Sequence, residues 1–202
     1  MKLLVIGGHS RNIGKTSLAA GLISALREFD WTAVKVTQFG HGVCSNDGHA
    51  CDCAPSDPDH PYAISREDDL GGDSDTSRLL QAGAREAYWV RTRIGELHEV
   101  IPALRKILAG RTHVLIESNS ILDHLTPDLY LPVLDFDVRD FKASSRSFLE
   151  RADALVVRSR PATVPGWEGI DSGILNRRPV FPVEPPSYCS ARIVDFARPR
   201  LV

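Results

Sequence analysis

The sequence predicts an α/β fold in which a mostly parallel sheet carries helices on both faces. Short apolar runs alternate with segments whose apolar residues recur every three or four positions, which is the pattern of strands alternating with helices. The first run, residues 2–7, is almost entirely apolar and ends in glycine, as is typical of a strand buried in a parallel sheet. Because parallel neighbours need a crossover between them, the alternation favours a parallel sheet over a set of hairpins.

The other elements follow in chain order. A helix over residues 15–28 is indicated by the spacing of Leu18, Leu22 and Leu26. The further predicted helices are residues 74–83, 94–109 and 142–150. The further predicted strands are residues 31–37, 86–91, 113–117, 128–134, 154–157 and 180–183. Ligands of such sheets bind beyond the carboxyl ends of the strands, so polar residues that follow a strand are the candidates for function.

Length and composition bound the function. The 202 residues suit a single domain over residues 1–202, and 43% hydrophobic residues can build a core. A formal net charge of -2 leaves no broad basic surface, so we expect no nucleic-acid partner. No apolar run approaches the length of a membrane span or a signal core, so we expect a cytoplasmic protein without a membrane partner.

Residues 38–72 interrupt the regular pattern as a long insert loop rich in polar residues. Three of the four cysteines, Cys44, Cys51 and Cys53, lie here together with His49. In a cytoplasmic protein such a cluster favours metal or redox chemistry over disulfides. Three thiolates and an imidazole would complete a tetrahedral site, so a structural Zn²⁺ is one interpretation and a loop of reduced thiols is the other.

The strongest motif is a glycine-rich loop between the first strand and the first helix, Gly8-His9-Ser10-Arg11-Asn12-Ile13-Gly14-Lys15-Thr16. The common phosphate-binding pattern G-x-x-x-x-G-K-[ST] has four residues between its glycines, whereas five separate Gly8 from Gly14. Strand, loop and helix nevertheless follow in the right order. Backbone N–H groups and the positive end of the helix would form an anion site. The predicted nucleotide-binding residues are Ser10, Arg11, Asn12, Ile13, Gly14, Lys15, Thr16 and Ser17.

This loop, from Val5 to Ser17, resembles that of the dethiobiotin synthetase group of P-loop proteins, which also has five residues between the glycines. Three further segments are similar to MobB, the molybdopterin-guanine dinucleotide biosynthesis protein B, which belongs to the same class. They are Val-Lys-Val-Thr-Gln-Phe-Gly-His-Gly at 34–42, Asp-Ser-Asp-Thr-Ser-Arg with Ala-Gly-Ala at 73–84, and Val-Leu-Ile-Glu-Ser at 114–118. Residues 119–202 match only loosely, and Ser118-Asn119 stand where that family has glycine and an aromatic residue.

Charged residues after other strands are the predicted companions of the loop. Lys15 would contact the β- and γ-phosphates, and the Thr16 hydroxyl would bind Mg²⁺. Glu117 ends a strand and is interpreted as a second Mg²⁺ ligand, against the alternative of a surface glutamate. The resemblance implies a further Mg²⁺-binding acid at Asp75 and a catalytic lysine at Lys35. The alternatives are helix capping for Asp75 and plain exposure for Lys35.

Three functions remain open from the sequence. The first is a Mg²⁺-dependent P-loop NTPase or phosphotransferase, with Lys15, Lys35 and Glu117 as catalytic residues, which the resemblance links to molybdenum-cofactor synthesis with a protein partner. The second is an ATP-dependent ligase similar to dethiobiotin synthetase. The third is a nucleotide-switched module that dimerises, and the resemblance favours a homodimer. No base-reading motif decides between ATP and GTP.

Overall fold

The computed structural model describes residues 1–39, 62–158 and 164–202. Its strands are β1 (Lys2–Gly8), β2 (Trp31–Phe39), β3 (Tyr62–Arg66), β4 (Glu86–Arg93), β5 (His113–Glu117), β6 (Leu129–Asp135), β7 (Leu155–Arg158) and β8 (Val180–Val183). Its α-helices are α1 (Lys15–Ala25), α2 (Asp75–Gln81), α3 (Leu97–Leu108), α4 (Ala143–Phe148), α5 (Ile174–Arg177) and α6 (Ala191–Leu201). Two short 3₁₀ helices cover Ser120–Asp123 and Leu149–Arg151.

All the described strands belong to one sheet, in the order β3-β4-β2-β5-β1-β6-β7-β8. Every pairing is parallel except that of β3 with β4, which is antiparallel. The fold is therefore the predicted α/β class with a mostly parallel sheet. Because β1 lies at the centre, the loop that follows it has β5 and β2 on one side and β6 on the other.

Helices cover both faces of the sheet, and each face has its own core. Leu4 and Ile6 of β1 pack among residues of α1, α2 and α6, whereas Leu3 and Val5 pack among residues of α3. This alternation follows from the period of two along a strand. The register sets Lys35 of β2 opposite Glu117 of β5, with both side chains on the α1 face at the carboxyl end of the sheet.

Among its described residues, the structure contains one strand and two α-helices that the sequence did not predict, namely β3, the four-residue α5 and α6. β3 lies within the predicted insert loop, as a short edge strand whose side chains are only partly covered. A half-buried edge strand of five residues gives too short a periodic signal to stand out from polar surroundings. The predicted elements also lack α6, although Ile193, Ala197 and Leu201 recur every four residues and are fully buried. None of the described helices is long and apolar enough to cross a membrane.

Candidate functional site

The glycine-rich loop connects β1 to α1 through two residues with positive φ. Asn12 has φ 52° and Gly14, the N-cap of α1, has φ 95°. A β-carbon at Gly14 would also collide with the ring of Tyr188, so this position combines a left-handed backbone with a close approach. The first turn of α1 contains no acidic residue, which leaves its positive end for an external anion.

Lys15 folds back along the loop that precedes it. Its Nζ donates to the carbonyl oxygen of Ser10 at 3.2 Å. A β-carbon at Gly8 would lie 2.8 Å from Cδ of Lys15, so the absence of a side chain at Gly8 lets the lysine stem pass. Burial lowers the pKa of Lys15, although Glu117 opposes that shift. The ammonium is thus buried at the start of α1, where an anion would stabilise its charge.

Two lysines, a hydroxyl and two carboxylates converge beside the loop. The Thr16 hydroxyl donates to Oε2 of Glu117 at 2.7 Å, and Lys35 Nζ lies 3.7 Å from the other oxygen of that carboxylate. Lys35 also forms an ion pair with Asp75. Burial disfavours the charge of Lys35, but Glu117 and Asp75 outweigh burial and raise its pKa. Although burial opposes ionisation of Asp75, Lys35 outweighs it and lowers the pKa of that carboxyl.

At the start of α2, different residues cap the helix and contribute to the acidic site. Ser74 is the N-cap, and its hydroxyl accepts from the backbone N–H of Ser77 at 3.0 Å. Asp75 is therefore free of the capping role considered for it, and its carboxylate turns toward Lys35. Arg78, one turn on, lies 3.6 Å from Asp75 and donates to the hydroxyl of Ser17 at 3.0 Å. These contacts connect α2 to the first turn of α1.

His9 occupies the position where the common motif has its first glycine, and it joins the loop to the segment after β6. Its Nδ1 lies 2.9 Å from the carbonyl oxygen of Asp140, and its Nε2 accepts from the backbone N–H of Asp135 at 3.0 Å. These partners require a neutral ring with the proton on Nδ1. The side chain is fully buried, and burial lowers the pKa of His9 to about 4. Phe141 and Trp167 pack against the ring.

Sequence reasoning missed two residues of this region. Asn119, directly after β5, accepts from the N–H of Gly8 at 2.9 Å and donates to its carbonyl oxygen at 2.8 Å. Lys142, after β6, lines the same cleft as Lys15. The sequence leaves two interpretations of residues 134–142, a segment that faces a nucleotide or a partner and a solvated turn, and it favours the turn for most of their charges. The signal in the sequence that could have identified Asn119 and Lys142 is that each follows a strand at the carboxyl edge of the sheet, where ligands bind.

A cleft of about 690 Å³ contains these groups. Of the predicted loop residues, Arg11 to Ser17 line it, together with Lys35, Asp75 and Glu117. Ser10 instead donates its hydroxyl to Asp140 at 2.9 Å and is almost fully buried. Among the described residues, the charged side chains of the lining are five cations and two carboxylates, namely Arg11, Lys15, Lys35, Arg78 and Lys142 with Asp75 and Glu117. The cleft therefore attracts anions.

The predicted zinc ligands Cys44, Cys51, Cys53 and His49 lie outside the described residues. Within residues 1–39, 62–158 and 164–202, no group of three or more His, Cys, Asp or Glu side chains is placed to hold a metal ion. Cys189 is a half-buried free thiol in this part of the chain, and burial raises its pKa to about 11.

The parallel sheet, the glycine-rich loop after its central strand and the lysine and threonine that open α1 define an α/β protein of the P-loop fold class.

No family model matches the chain, and no curated protein matches its sequence. The chain is similar to the crystal structure of HypB from Helicobacter pylori in complex with nickel, at 14% identity and a TM-score of 0.49, over 98% of this chain and 86% of that one. It is also similar to an "apo" form of LpxK from Aquifex aeolicus in complex with ATP, at 16% identity and a TM-score of 0.48, over 90% of this chain and 53% of that one.

Proposed function

We propose that this protein binds a nucleoside triphosphate with Mg²⁺ in the cleft and hydrolyses or transfers the terminal phosphate. The observation that carries the proposal is the convergence of Lys15, Lys35, Thr16, Asp75 and Glu117 at the start of α1. Phosphoryl transfer depends mainly on positioning and on charge stabilisation, and these residue types supply both.

The loop supports the part of the proposal that concerns phosphate binding. The loop has positive φ at Asn12 and Gly14, a backbone form in which successive N–H groups can make an anion-binding concavity, and the N-terminus of α1 adds its dipole. Lys15 lies among them with its charge disfavoured by burial. A bound triphosphate would compensate that charge and the other cations of the lining.

The donor set supports a magnesium site. A hydroxyl from Thr16 and carboxylates from Glu117 and Asp75 are hard oxygen ligands, which Mg²⁺ prefers. When bound, Mg²⁺ would neutralise charge on the phosphate oxygens. Lys35 lies next to both carboxylates and lines the same cleft.

Replacing Lys15 tests the proposal. We expect Lys15→Ala to abolish binding of Mg²⁺-ATP and Mg²⁺-GTP while the far-UV circular dichroism stays unchanged, because the fold loses one hydrogen bond to Ser10 and also a buried charge that destabilises it without a ligand. Lys106→Ala is the matched control, since Lys106 is exposed on α3 outside the cleft. The measurement is a thermal-shift titration of both nucleotides, in which a ligand selective for the folded state raises Tm with concentration. Nucleotide binding by Lys15→Ala at wild-type affinity would refute the proposal.

The sequence resemblance to MobB supports a finer proposal, that the activity assists molybdenum-cofactor synthesis together with a protein partner. A ligase similar to dethiobiotin synthetase differs from it in needing a carboxylate or carbamate acceptor for turnover. Phosphate release without an added acceptor separates the two. We keep the homodimer as a proposal from the same resemblance, and a nucleotide-dependent change of mass without phosphate release would favour a binding module.

A further inference from the structure

We infer that Lys142 binds the phosphate chain of the nucleotide from the side of the cleft opposite Lys35, an assignment that rests on the proposed function and adds a residue to the same site. The strand order places Lys142 on the side of the loop opposite Lys35. β1 lies between β5 and β6, so Lys35 and Glu117 flank the loop on one side and the segment after β6 flanks it on the other. Lys142 belongs to that second segment and lines the cleft.

The backbone of Lys142 is fastened to the phosphate-binding loop. Its N–H donates to the carbonyl oxygen of His9 at 2.8 Å. Two residues earlier, the carbonyl oxygen of Asp140 accepts a hydrogen bond from Nδ1–H of His9, and its carboxylate accepts one from the Ser10 hydroxyl, both at 2.9 Å. Three hydrogen bonds thus fix where the Lys142 side chain begins relative to the loop. The lysine is positioned by the same residues that shape the anion site.

Among the residues that the structure describes, no carboxylate lies within ion-pairing distance of Lys142, and its side chain is half-buried. Burial, together with the neighbouring charges of Lys15 and Arg11, lowers the pKa of Lys142 to about 8 against the weaker opposition of Asp140 and Glu117.

An uncompensated, half-buried lysine destabilises the chain without a ligand. An apolar side chain would fill the same space at lower cost. The arrangement is therefore explained by a polyanion that lies between Lys15 and Lys142 and supplies the missing negative charge.

The test compares Lys142→Met, which removes the charge but keeps the length of the side chain, with Lys142→Arg and with the control Lys106→Met on α3. Dissociation constants are measured by calorimetry at pH 7 for the Mg²⁺-bound triphosphate, for the monophosphate and for the nucleoside. We expect Lys142→Met to weaken triphosphate binding by roughly tenfold or more, since one charge-assisted contact is lost. The monophosphate should be weakened less and the nucleoside not at all, and Lys142→Arg should restore part of the affinity.

A second measurement separates ligand binding from a structural role. Without nucleotide, Lys142→Met should melt at or above the wild-type temperature, because an uncompensated charge has been removed. Any of three results for Lys142→Met would overturn the role of Lys142. They are a Kd for the triphosphate equal to that of wild type, a loss of affinity for the nucleoside as large as that for the triphosphate, and a lowered melting temperature. If the wild-type protein binds no triphosphate, the proposed function itself fails, which is a different result.

Discussion

At the scale of single residues, His9 shows how one side chain replaces a glycine without losing the phosphate-binding loop. A glycine at this position would leave the loop connected to the segment after β6 by the Ser10–Asp140 hydrogen bond and by backbone groups. His9 adds a donor and an acceptor to that connection, and Asp135, which accepts from Arg158 at 2.8 Å, extends the network to β7. The imidazole can serve in this way only while it is neutral, because Nε2 must accept a hydrogen bond.

The titration of His9 makes stability depend on pH. The folded-state pKa of about 4 lies below the ordinary value of 6.5, so the unfolded chain binds the proton more readily. The contribution is complete above pH 6.5 and is lost as pH falls from 6.5 through 4, up to about 3 kcal/mol. We expect wild type to lose more free energy of unfolding than His9→Gln between about pH 7 and pH 4.5 in urea titrations. Equal losses in the two proteins would contradict this role.

At the scale of elements, the turn from the loop into α1 depends on Gly14. Two costs meet there, because φ of 95° is unfavourable for any side chain and the Tyr188 ring occupies the space of a β-carbon. Tyr188 lies after β8, so the C-terminal part of the chain packs against the start of α1, which forms the anion site. The conformation of the loop is therefore set by the loop and by its distant neighbour together.

A pair of glycine substitutions separates these two costs. Gly110 has φ 77°, and a β-carbon added there would meet nothing within 4 Å, so Gly110→Ala reports the backbone cost alone, about 1–2 kcal/mol. We expect Gly14→Ala to lower the free energy of unfolding by more than Gly110→Ala does. Gly14→Ala should also weaken nucleotide binding, whereas Gly110→Ala should leave it unchanged. Urea unfolding and the thermal-shift titration measure both effects. Equal destabilisation by the two substitutions would show that contact with Tyr188 is unimportant.

At the scale of the whole molecule, α6 completes the face of the sheet that carries α1. Ile193, Ala197 and Leu201 are fully buried in the same core as Leu4 and Ile6 of β1. The strand that leads into the phosphate-binding loop is thus supported by the last helix of the chain.

Truncating one side chain tests this support. We expect Ile193→Ala to lower the free energy of unfolding by about 2–5 kcal/mol, because it leaves a cavity beneath the sheet. Val202→Ala, at a side chain that is 79% exposed, is the control and should change stability by less than about 0.5 kcal/mol. Chemical denaturation of the three proteins gives the comparison, and a cost below about 1 kcal/mol for Ile193→Ala would deny α6 a part in the core.

The sequence by itself determined the alternation of strands and helices, the parallel sheet and the glycine-rich loop, because these features follow from local periodicity and from residues adjacent in the chain. It also indicated Glu117 from its position at the end of a strand, whereas Lys35 and Asp75 were expected from the resemblance to known P-loop proteins, and the structure places Lys35 in the middle of β2. Only the tertiary structure decided that Ser74 caps α2 while Asp75 faces Lys35, that His9 fastens the loop to the segment after β6, and that Lys142 shares the cleft. The contacts of Asp75 with Lys35 and of His9 with Asp140 join residues 40 and 131 positions apart, and no local pattern encodes them.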